Sequence, residues 1–256
     1  MTRVMVRTAV VLLLAVASSR LLAQPPARLP FAPGERATYQ VRVAKMGARG
    51  HGSMWVDGPE VVRGVQTYVL HFDSEAGVGP FKAGDRTTSW LDAQRMTSLR
   101  FTKREHHLFS HHDDDVEIYP TQRRWEAGAA GKGESPTDAP LDELSFLYFV
   151  RTLPLDDDSL HLFVRHYDPD RNPVSLRVVG KEAIAAGGVT FSTVIVEMRV
   201  RDPRHYRGEG VLRINLSDDE RRILVRIESV MPEYGKTVLT LDTYSAAPEA
   251  SVARAR

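Results

Sequence analysis

Apolar and polar residues alternate along most of the chain. In the clearest case, apolar side chains occupy every second position, at Ala37, Tyr39, Val41 and Val43. A period of two is typical of a β-strand that has one solvent-exposed face. The same alternation predicts further strands over residues 53–56, 66–72, 86–91, 97–105, 116–119, 122–126, 159–166, 174–179, 194–200, 212–216, 223–227 and 237–244. Most links are too short for parallel crossovers, so the pattern predicts a mainly β fold: an antiparallel curved sheet, half-barrel or barrel.

One stretch departs from this alternation. Residues 142–153 place apolar side chains around most of a helical wheel. Asp142 suits the N-cap position, because its carboxylate can accept the backbone N–H of Ser145, and Pro154 ends the helix near Thr152. A helix that is apolar on nearly all sides is buried. We therefore expect one central buried helix that fills the concave side of the sheet.

Arg151 lies in an apolar sector of this predicted helix. A charge there must extend to water or pair with a carboxylate. Two interpretations remain open: a ligand-binding arginine that faces a pocket, or one half of a structural ion pair. The ion pair is the commoner arrangement, because unpaired buried charges are rare.

The start of the chain has the features of a secretory signal peptide. Arg3 and Arg7 precede an apolar segment from Thr8 to Ala17, and cleavage could follow Ala17 or Ala23. The predicted division is a signal peptide at 1–23, a tether at 24–33, a single β domain at 34–245 and a disordered tail at 246–256. We expect a periplasmic or secreted protein with no transmembrane span after signal cleavage; an uncleaved N-terminal anchor is the alternative.

Composition narrows the range of partners. The chain has no cysteine, which excludes disulfides and an acylated cysteine, and its net charge of +1 argues against nucleic-acid binding. Residues 127–136 are rich in glycine and alanine and predict a mobile loop, but Gly131-Lys132-Gly133 lacks the spacing of a phosphate-binding loop. The sequence predicts no cofactor.

A cluster of histidine and aspartate at 106–115 is the most conspicuous set of possible metal ligands. Imidazole and carboxylate groups bind Zn or Cu, and His107, His111 and Asp113 are the candidate ligands. Such a site would suit a metal-dependent hydrolase. The alternative is a solvated polar hairpin, which is favoured because no fixed metal-binding spacing is present.

Other candidate groups have simpler structural interpretations. Ser145 lacks the surroundings of a nucleophile and suits the third helical position. Asp218 and Asp219 could be paired catalytic carboxylates, but a turn stabilised by ion pairs is favoured. Residues 156–158 lack the glycine and glutamate of a calcium loop. Core or rim positions are expected for Trp55, Trp90 and Trp125. The sequence predicts no catalytic residue.

Three stretches, at 29–39, 142–155 and 216–223, resemble the bacterial exported family known as domain of unknown function 3108. The first contains Pro33-Gly34-Glu35 followed by Tyr39. The resemblance implies an antiparallel β fold in the cell envelope and implies no reaction.

These observations lead to three functional hypotheses. The first is a non-enzymatic cell-envelope protein that holds an apolar ligand or lipid in a curved β-sheet. The second is an envelope structural or assembly factor that binds another protein. The third is a metal-dependent hydrolase that uses the cluster at 106–115.

Overall fold

The structure is a computed structural model that describes residues 29–107, 110–128, 131–203, 206–232 and 235–248. The side chains of residues 107 and 110 are outside this description, as are residues 1–28 and 249–256. The predicted signal peptide, half of the predicted tether and most of the predicted tail therefore lie outside the described residues.

Within the described residues, fourteen antiparallel strands form one sheet. Their bounds are β1 Arg36–Val43, β2 Ala48–Val62, β3 Val65–Val78, β4 Phe81–Asp92, β5 Thr97–His107, β6 Ser110–Tyr119, β7 Arg124–Glu126, β8 Lys132–Glu134, β9 His161–Phe163, β10 Val174–Ala186, β11 Val189–Val200, β12 Gly210–Ser217, β13 Leu224–Met231 and β14 Gly235–Ser245. The helix α1 spans Glu143–Val150.

The sheet is curved and not closed, which confirms the predicted fold class. Each strand pairs with the next strand in sequence, except that β8 and β9 do not pair with each other and form the two edges of the described sheet. The pairing of β1 with β14 joins the two halves of the sheet. These edges flank α1 in sequence. The chain thus leaves the sheet at one edge, forms the helix, and re-enters at the other edge.

The helix begins as expected and ends earlier than expected. Oδ1 of Asp142 accepts backbone N–H groups from Leu144 (3.0 Å) and Ser145 (2.9 Å). The regular helix ends at Val150, two residues before the predicted end near Thr152. Beyond it the chain tightens: the N–H of Thr152 donates to the carbonyl three residues earlier, at 2.9 Å.

The helix packs into the sheet with aromatic contacts on several sides. The Phe149 ring lies 5.3 Å from Phe163 of β9, measured between centroids. Tyr148 lies 4.9 Å from Phe31, which precedes β1. Phe31, Tyr148 and Val150 are buried in the main hydrophobic core. The helix therefore contributes to the core, as its apolar circumference predicts.

Three local features differ from simple sequence patterns. The predicted strand at 53–56 is part of a longer β2, which passes through Gly58 by a register shift between Asp57 and Glu60. The predicted mobile loop at 127–136 contains β8. Glycine at 133 allows close approach to Trp125, because a Cβ there would lie 2.8 Å from the indole. Alternation alone detects neither bulges nor such close approaches.

Candidate functional site

Arg151 is buried directly after α1, with a fractional exposure of 3%. Its Nη1 donates to Oε1 of Glu35 at 2.6 Å, and its Nη2 donates to Oε2 at 3.0 Å. Glu35 is itself only 5% exposed. This is a buried bidentate ion pair, a geometry that the planar guanidinium favours.

The remaining contacts of Arg151 tie it to two other segments. Nη2 also donates to the carbonyl oxygens of Pro30 (2.9 Å) and Arg221 (3.1 Å). The guanidinium carbon lies 5.3 Å from the ring centroid of Phe31 and 5.2 Å from that of Tyr148. Cations within about 6 Å of an aromatic face are attracted to it. Arg151 thus joins the chain before β1, the helix and the turn before β13.

These contacts bring together the three stretches that carry the family resemblance. Glu35 comes from the first, Arg151 from the second and Arg221 from the third. The hydroxyl of Tyr39 adds a further link by donating to the carbonyl of Leu224 at 3.1 Å. The resemblance therefore maps onto one buried junction of the fold.

The electrostatics of the junction favour the ion pair. Burial lowers the pKa of Arg151, but Glu35 outweighs this effect, so the net pKa is raised. The hydroxyl of Tyr244 donates to Oε2 of Glu35 at 3.1 Å. Burial, followed by the charge of Glu35, raises the pKa of Tyr244 to about 12. The tyrosine therefore remains a neutral donor at physiological pH.

The space beside Arg151 is small. A cavity of about 10 Å³ is lined by Glu35, Tyr39, Tyr148, Arg151 and Tyr244, among others. A cavity needs roughly this volume to hold one water molecule. The geometry therefore matches the structural interpretation of Arg151, whereas its ligand-binding role stays a prediction.

A second buried polar group fixes the start of the helix. Oδ2 of Asp142 accepts from Oγ of Ser89 at 2.6 Å, and the hydroxyls of Ser98 and Ser145 lie 2.7 Å apart. Oγ of Ser145 accepts the backbone N–H of Asp142 at 2.9 Å, which completes a capping box. Burial raises the pKa of Asp142 to about 6. Ser145 occupies the third helical position, as expected.

A third polar cluster joins the helix to the segments after β9 and β11. Arg171 pairs with Glu143 and with Asp202, the latter at 2.5 Å. Nε2 of the buried His166 lies 4.0 Å from Oε2 of Glu143. Burial lowers the pKa of His166 to about 4. Burial would raise the pKa of Glu143, but Arg171 and other cations outweigh it and lower the pKa to about 2. Sequence reasoning missed this cluster, because its members are far apart in the chain.

The histidine and aspartate cluster forms a hairpin of β5 and β6. His106 and His111 face each other, with their Nδ1 atoms 3.3 Å apart. His112 lies one residue further along, with Nε2 3.1 Å from Oδ2 of Asp114. The alternation of strand side chains places His112 on the opposite face from His111.

Of the predicted metal ligands, the structure describes the side chains of His111 and Asp113. Asp113 is 58% exposed, and its carboxylate lies 3.8 Å from Nε of Arg104. The side chain of His107 lies outside the described residues. Within the part of the chain that the structure describes, no group of three or more histidine, cysteine or carboxylate side chains could hold a metal ion. His111 acquires a partner, His106, that the sequence did not single out.

The remaining sequence candidates occupy structural positions. Asp219 accepts from the backbone and side chain of Arg221, and Asp218 pairs with Lys181 at 2.7 Å. Asp157 accepts the backbone N–H of Ser159 at 2.9 Å in an exposed loop. Among the tryptophans, Trp125 is buried, whereas Trp55 and Trp90 are partly exposed.

The two sheet edges differ in character. β8 is short and carries Lys132 and Glu134. Near β9, three alternating apolar side chains are exposed: Leu160 at 62%, Leu162 at 61% and Val164 at 50%. Charges usually protect an edge strand from unwanted pairing. The β9 edge lacks this protection on its outer face.

The outer face beside β9 contains a shallow groove. The sheet register places Leu162 opposite Ser175 of β10, and Ser175 opposite Arg199 of β11. A groove of about 270 Å³ is lined by Leu160, Ser175, Arg177, Glu197 and Arg199. We name this surface, together with Leu162 and Val164, the β9 surface.

Comparisons with known proteins indicate a family and a fold. The family model "Protein of unknown function (DUF3108)" matches residues 38–242. The β-barrel-like protein of domain of unknown function DUF1849 from Brucella abortus is 10% identical, with 86% of this chain and 100% of that chain covered and a TM-score of 0.59. A candidate lipoprotein from Parabacteroides distasonis is 12% identical over 85% of this chain and 98% of that chain, with a TM-score of 0.31. No curated protein matches. In the described residues, no helix has the length and apolar character needed to span a membrane.

Proposed function

Since the chain belongs to the DUF3108 family of proteins of unknown function, we propose its role from its own surfaces: it is a non-enzymatic cell-envelope protein that binds an extended segment of another envelope protein. The contact is the β9 surface. The observation that carries this proposal is the exposed apolar row Leu160, Leu162 and Val164 beside an unpaired sheet edge.

The interior supports protein binding more than ligand carriage. An apolar ligand on the concave side would need the volume that α1 fills. The helix is held at its start by the hydrogen bonds of Asp142 and just past its end by the ion pair of Arg151 with Glu35. Both groups are buried, so releasing the helix would expose charged or hydrogen-bonded groups without partners. A carrier role would require that opening.

The β9 edge offers both backbone and side-chain contacts. As a terminal strand of the described sheet, it pairs with β10 on one side, and none of the described strands pairs with its other side. An added strand could take up the other row of backbone groups, which is a common way to bind an extended peptide. Specificity would then come from side chains at alternate positions of that peptide.

Charge in the groove defines the partner further. Arg199 pairs with Glu197 at 2.9 Å, whereas the described residues give Arg177 no ion pair. Arg177 is exposed beside Leu160. The expected partner segment therefore has apolar residues at alternate positions and an acidic residue that reaches Arg177.

Export is part of the proposal and rests on the sequence features of residues 1–23. Mass spectrometry of the protein purified from its native cells would measure the mature N-terminus. A start directly after Ala17 or Ala23 supports export, and an intact N-terminus in a cytoplasmic fraction contradicts it.

A photoreactive amino acid at position 162 tests the binding role in living cells. The matched control is position 61, because Val61 is 69% exposed on a different part of the sheet. We expect one defined adduct at position 162 and none at position 61. The identified protein, once purified, should bind the wild type and lose binding to Leu162→Asp and Arg177→Glu.

Two results would overturn the proposal. One is an adduct pattern that does not differ between positions 162 and 61. The other is stoichiometric binding of a fatty acid or a fluorescent apolar probe by delipidated protein, with the binding abolished by a bulky substitution in the core and unaffected by Leu162→Asp. That second result would support the apolar-ligand hypothesis.

A further inference from the structure

Two hairpin turns at one end of the sheet expose apolar side chains. The turn between β1 and β2 contains Met46, which is exposed. The turn between β3 and β4 is flanked by Val78 and by Phe81, which is 59% exposed, and these two residues lie directly opposite each other. Both turns are at the same end, because Arg49 beside the first turn pairs with Gly77 beside the second. Exposed apolar groups gathered in this way mark a surface that contacts protein or lipid.

The outer face of the sheet beside these turns carries two arginines without a carboxylate partner. Arg42 of β1 and Arg49 of β2 are exposed and directly opposite each other, and the described residues give neither of them an ion pair. The row continues through Gly77 to Lys82 of β4, which pairs with Glu75 at 2.7 Å. Like charges directly opposite each other destabilise a sheet. An anion bound from outside would therefore relieve a repulsion that the fold leaves uncompensated.

We propose that these two turns dock on the surface of an anionic lipid bilayer. Met46, Val78 and Phe81 enter the interfacial layer, and Arg42 and Arg49 contact the phosphates of the headgroups. Binding of this kind combines buried apolar area with attraction to anionic lipid. The two arginines are within two residues of the first turn, or about 7 Å along the strands. Both parts can therefore contact an interface that apolar groups enter to a depth of about 5–10 Å.

The distribution of the apolar groups favours a bilayer over a protein partner. The two turns lie about two strand spacings, or 10 Å, apart. A fluid bilayer admits apolar groups from separate turns without a matching pocket, whereas a protein would need a surface that fits both turns. The turns join the central strands β1 to β4, so this contact is separate from the β9 surface at the sheet edge. The two proposals can therefore fail independently.

The charge requirement is tested by sedimentation of the full mature chain with vesicles of phosphatidylcholine, alone or with about 30% phosphatidylglycerol. The test variant is Arg42→Gln/Arg49→Gln. The control, Arg86→Gln/Arg95→Gln, removes the same charge from two exposed arginines further from the turns. We expect binding to the anionic vesicles that falls about 30-fold in the test variant, because each cation near an anionic surface contributes about fivefold. The control should stay within about twofold of wild type.

The apolar requirement is tested with Phe81→Ser, and the control is Val61→Ser, an exposed position near the opposite end of β2. We expect a loss of about tenfold for the first variant and none for the second. Because the chain has no cysteine, Met46→Cys can carry a fluorophore that shifts to the blue when lipid surrounds it. The same label on Gln94→Cys, in the exposed β4–β5 turn at the other end, is the control. We expect a shift with anionic vesicles at position 46 only.

Circular dichroism verifies that each variant folds. The proposal is overturned if folded wild type does not bind the anionic vesicles, or if the control variants lose binding as completely as the test variants. Binding that is equal on both kinds of vesicle and unchanged in Arg42→Gln/Arg49→Gln would overturn it as well, because the arginines would then not contact headgroups. A blue shift of equal size at positions 46 and 94 would contradict docking through these turns.

Discussion

Replacing Arg151 with methionine is the most informative test of the buried junction. Methionine keeps much of the apolar stem that packs against Phe31 and Tyr148, but it removes the charge and four hydrogen bonds. Glu35 would remain buried with the hydroxyl of Tyr244 as a hydrogen-bond donor. The change therefore isolates the polar part of the junction.

The expected cost follows from the burial of both partners, at 3% for Arg151 and 5% for Glu35. Removing one member of a buried ion pair costs about 3–5 kcal/mol, since the other charge is left uncompensated. With a denaturant slope of about 2 kcal/mol/M, a loss of about 4 kcal/mol lowers the urea midpoint by about 2 M. This is a large share of the roughly 5–15 kcal/mol that stabilises a typical domain.

Urea unfolding followed by tryptophan fluorescence measures this loss. The matched control is Arg86→Met, because Arg86 is 72% exposed and pairs with Asp73 at the surface; its loss should cost at most about 0.5 kcal/mol. The double variant Glu35→Gln/Arg151→Met should be more stable than Arg151→Met alone, because no buried charge is left over. A cost below about 1 kcal/mol for Arg151→Met would refute the reasoning. Stabilisation would favour the ligand-binding interpretation.

Three further predictions concern the start of the helix and the close contact of Gly133 with Trp125. Burial raises the pKa of Asp142 in the folded protein to about 6. Its contribution to stability is therefore fully present below the ordinary pKa near 4 and is lost as the pH rises through 6. The free energy of unfolding of wild type, relative to that of Asp142→Asn, should fall by about 2 kcal/mol between pH 4 and pH 7. A constant difference in urea titrations would contradict this. Ser145→Ala should lower the free energy of unfolding by about 1 kcal/mol in the same assay, because it removes the acceptor for the N–H of Asp142. An unchanged free energy of unfolding would mean that the capping box does not stabilise the fold. Gly133→Ala should cost about 1–3 kcal/mol and shift the fluorescence of Trp125, because the new Cβ would meet the indole at 2.8 Å; wild-type stability and spectrum would contradict the packing.

Sequence alternation predicts most of this fold because strand periodicity is a local property. The pattern at 36–43 and the apolar wheel at 142–153 each depend only on neighbouring residues. The pairing partners of the strands, in contrast, are not determined by neighbouring residues. The pairing of β1 with β14 joins the two ends of the domain, and no local pattern encodes it.

The candidate site shows the same limit. Arg151 was recognisable as a charge in an apolar sector, but its partner Glu35 lies 116 residues away. The His106/His111 pair requires the hairpin register, which a turn of different length would change. The cluster around Glu143 draws on three separate segments. Sequence reasoning identified individual polar residues, and only the tertiary structure supplied their partners.

The central claim is that α1 is a fixed part of the interior and does not open to admit a ligand. Native-state amide hydrogen exchange of Phe146–Val150 tests it directly, because local opening and global unfolding give different protection. The account predicts that these amides exchange only by global unfolding, at the same free energy as the central strands β1 and β14, with and without lipid vesicles. Exchange by a lower-energy local opening, or a change in protection relative to β1 and β14 when lipid is added, would contradict it.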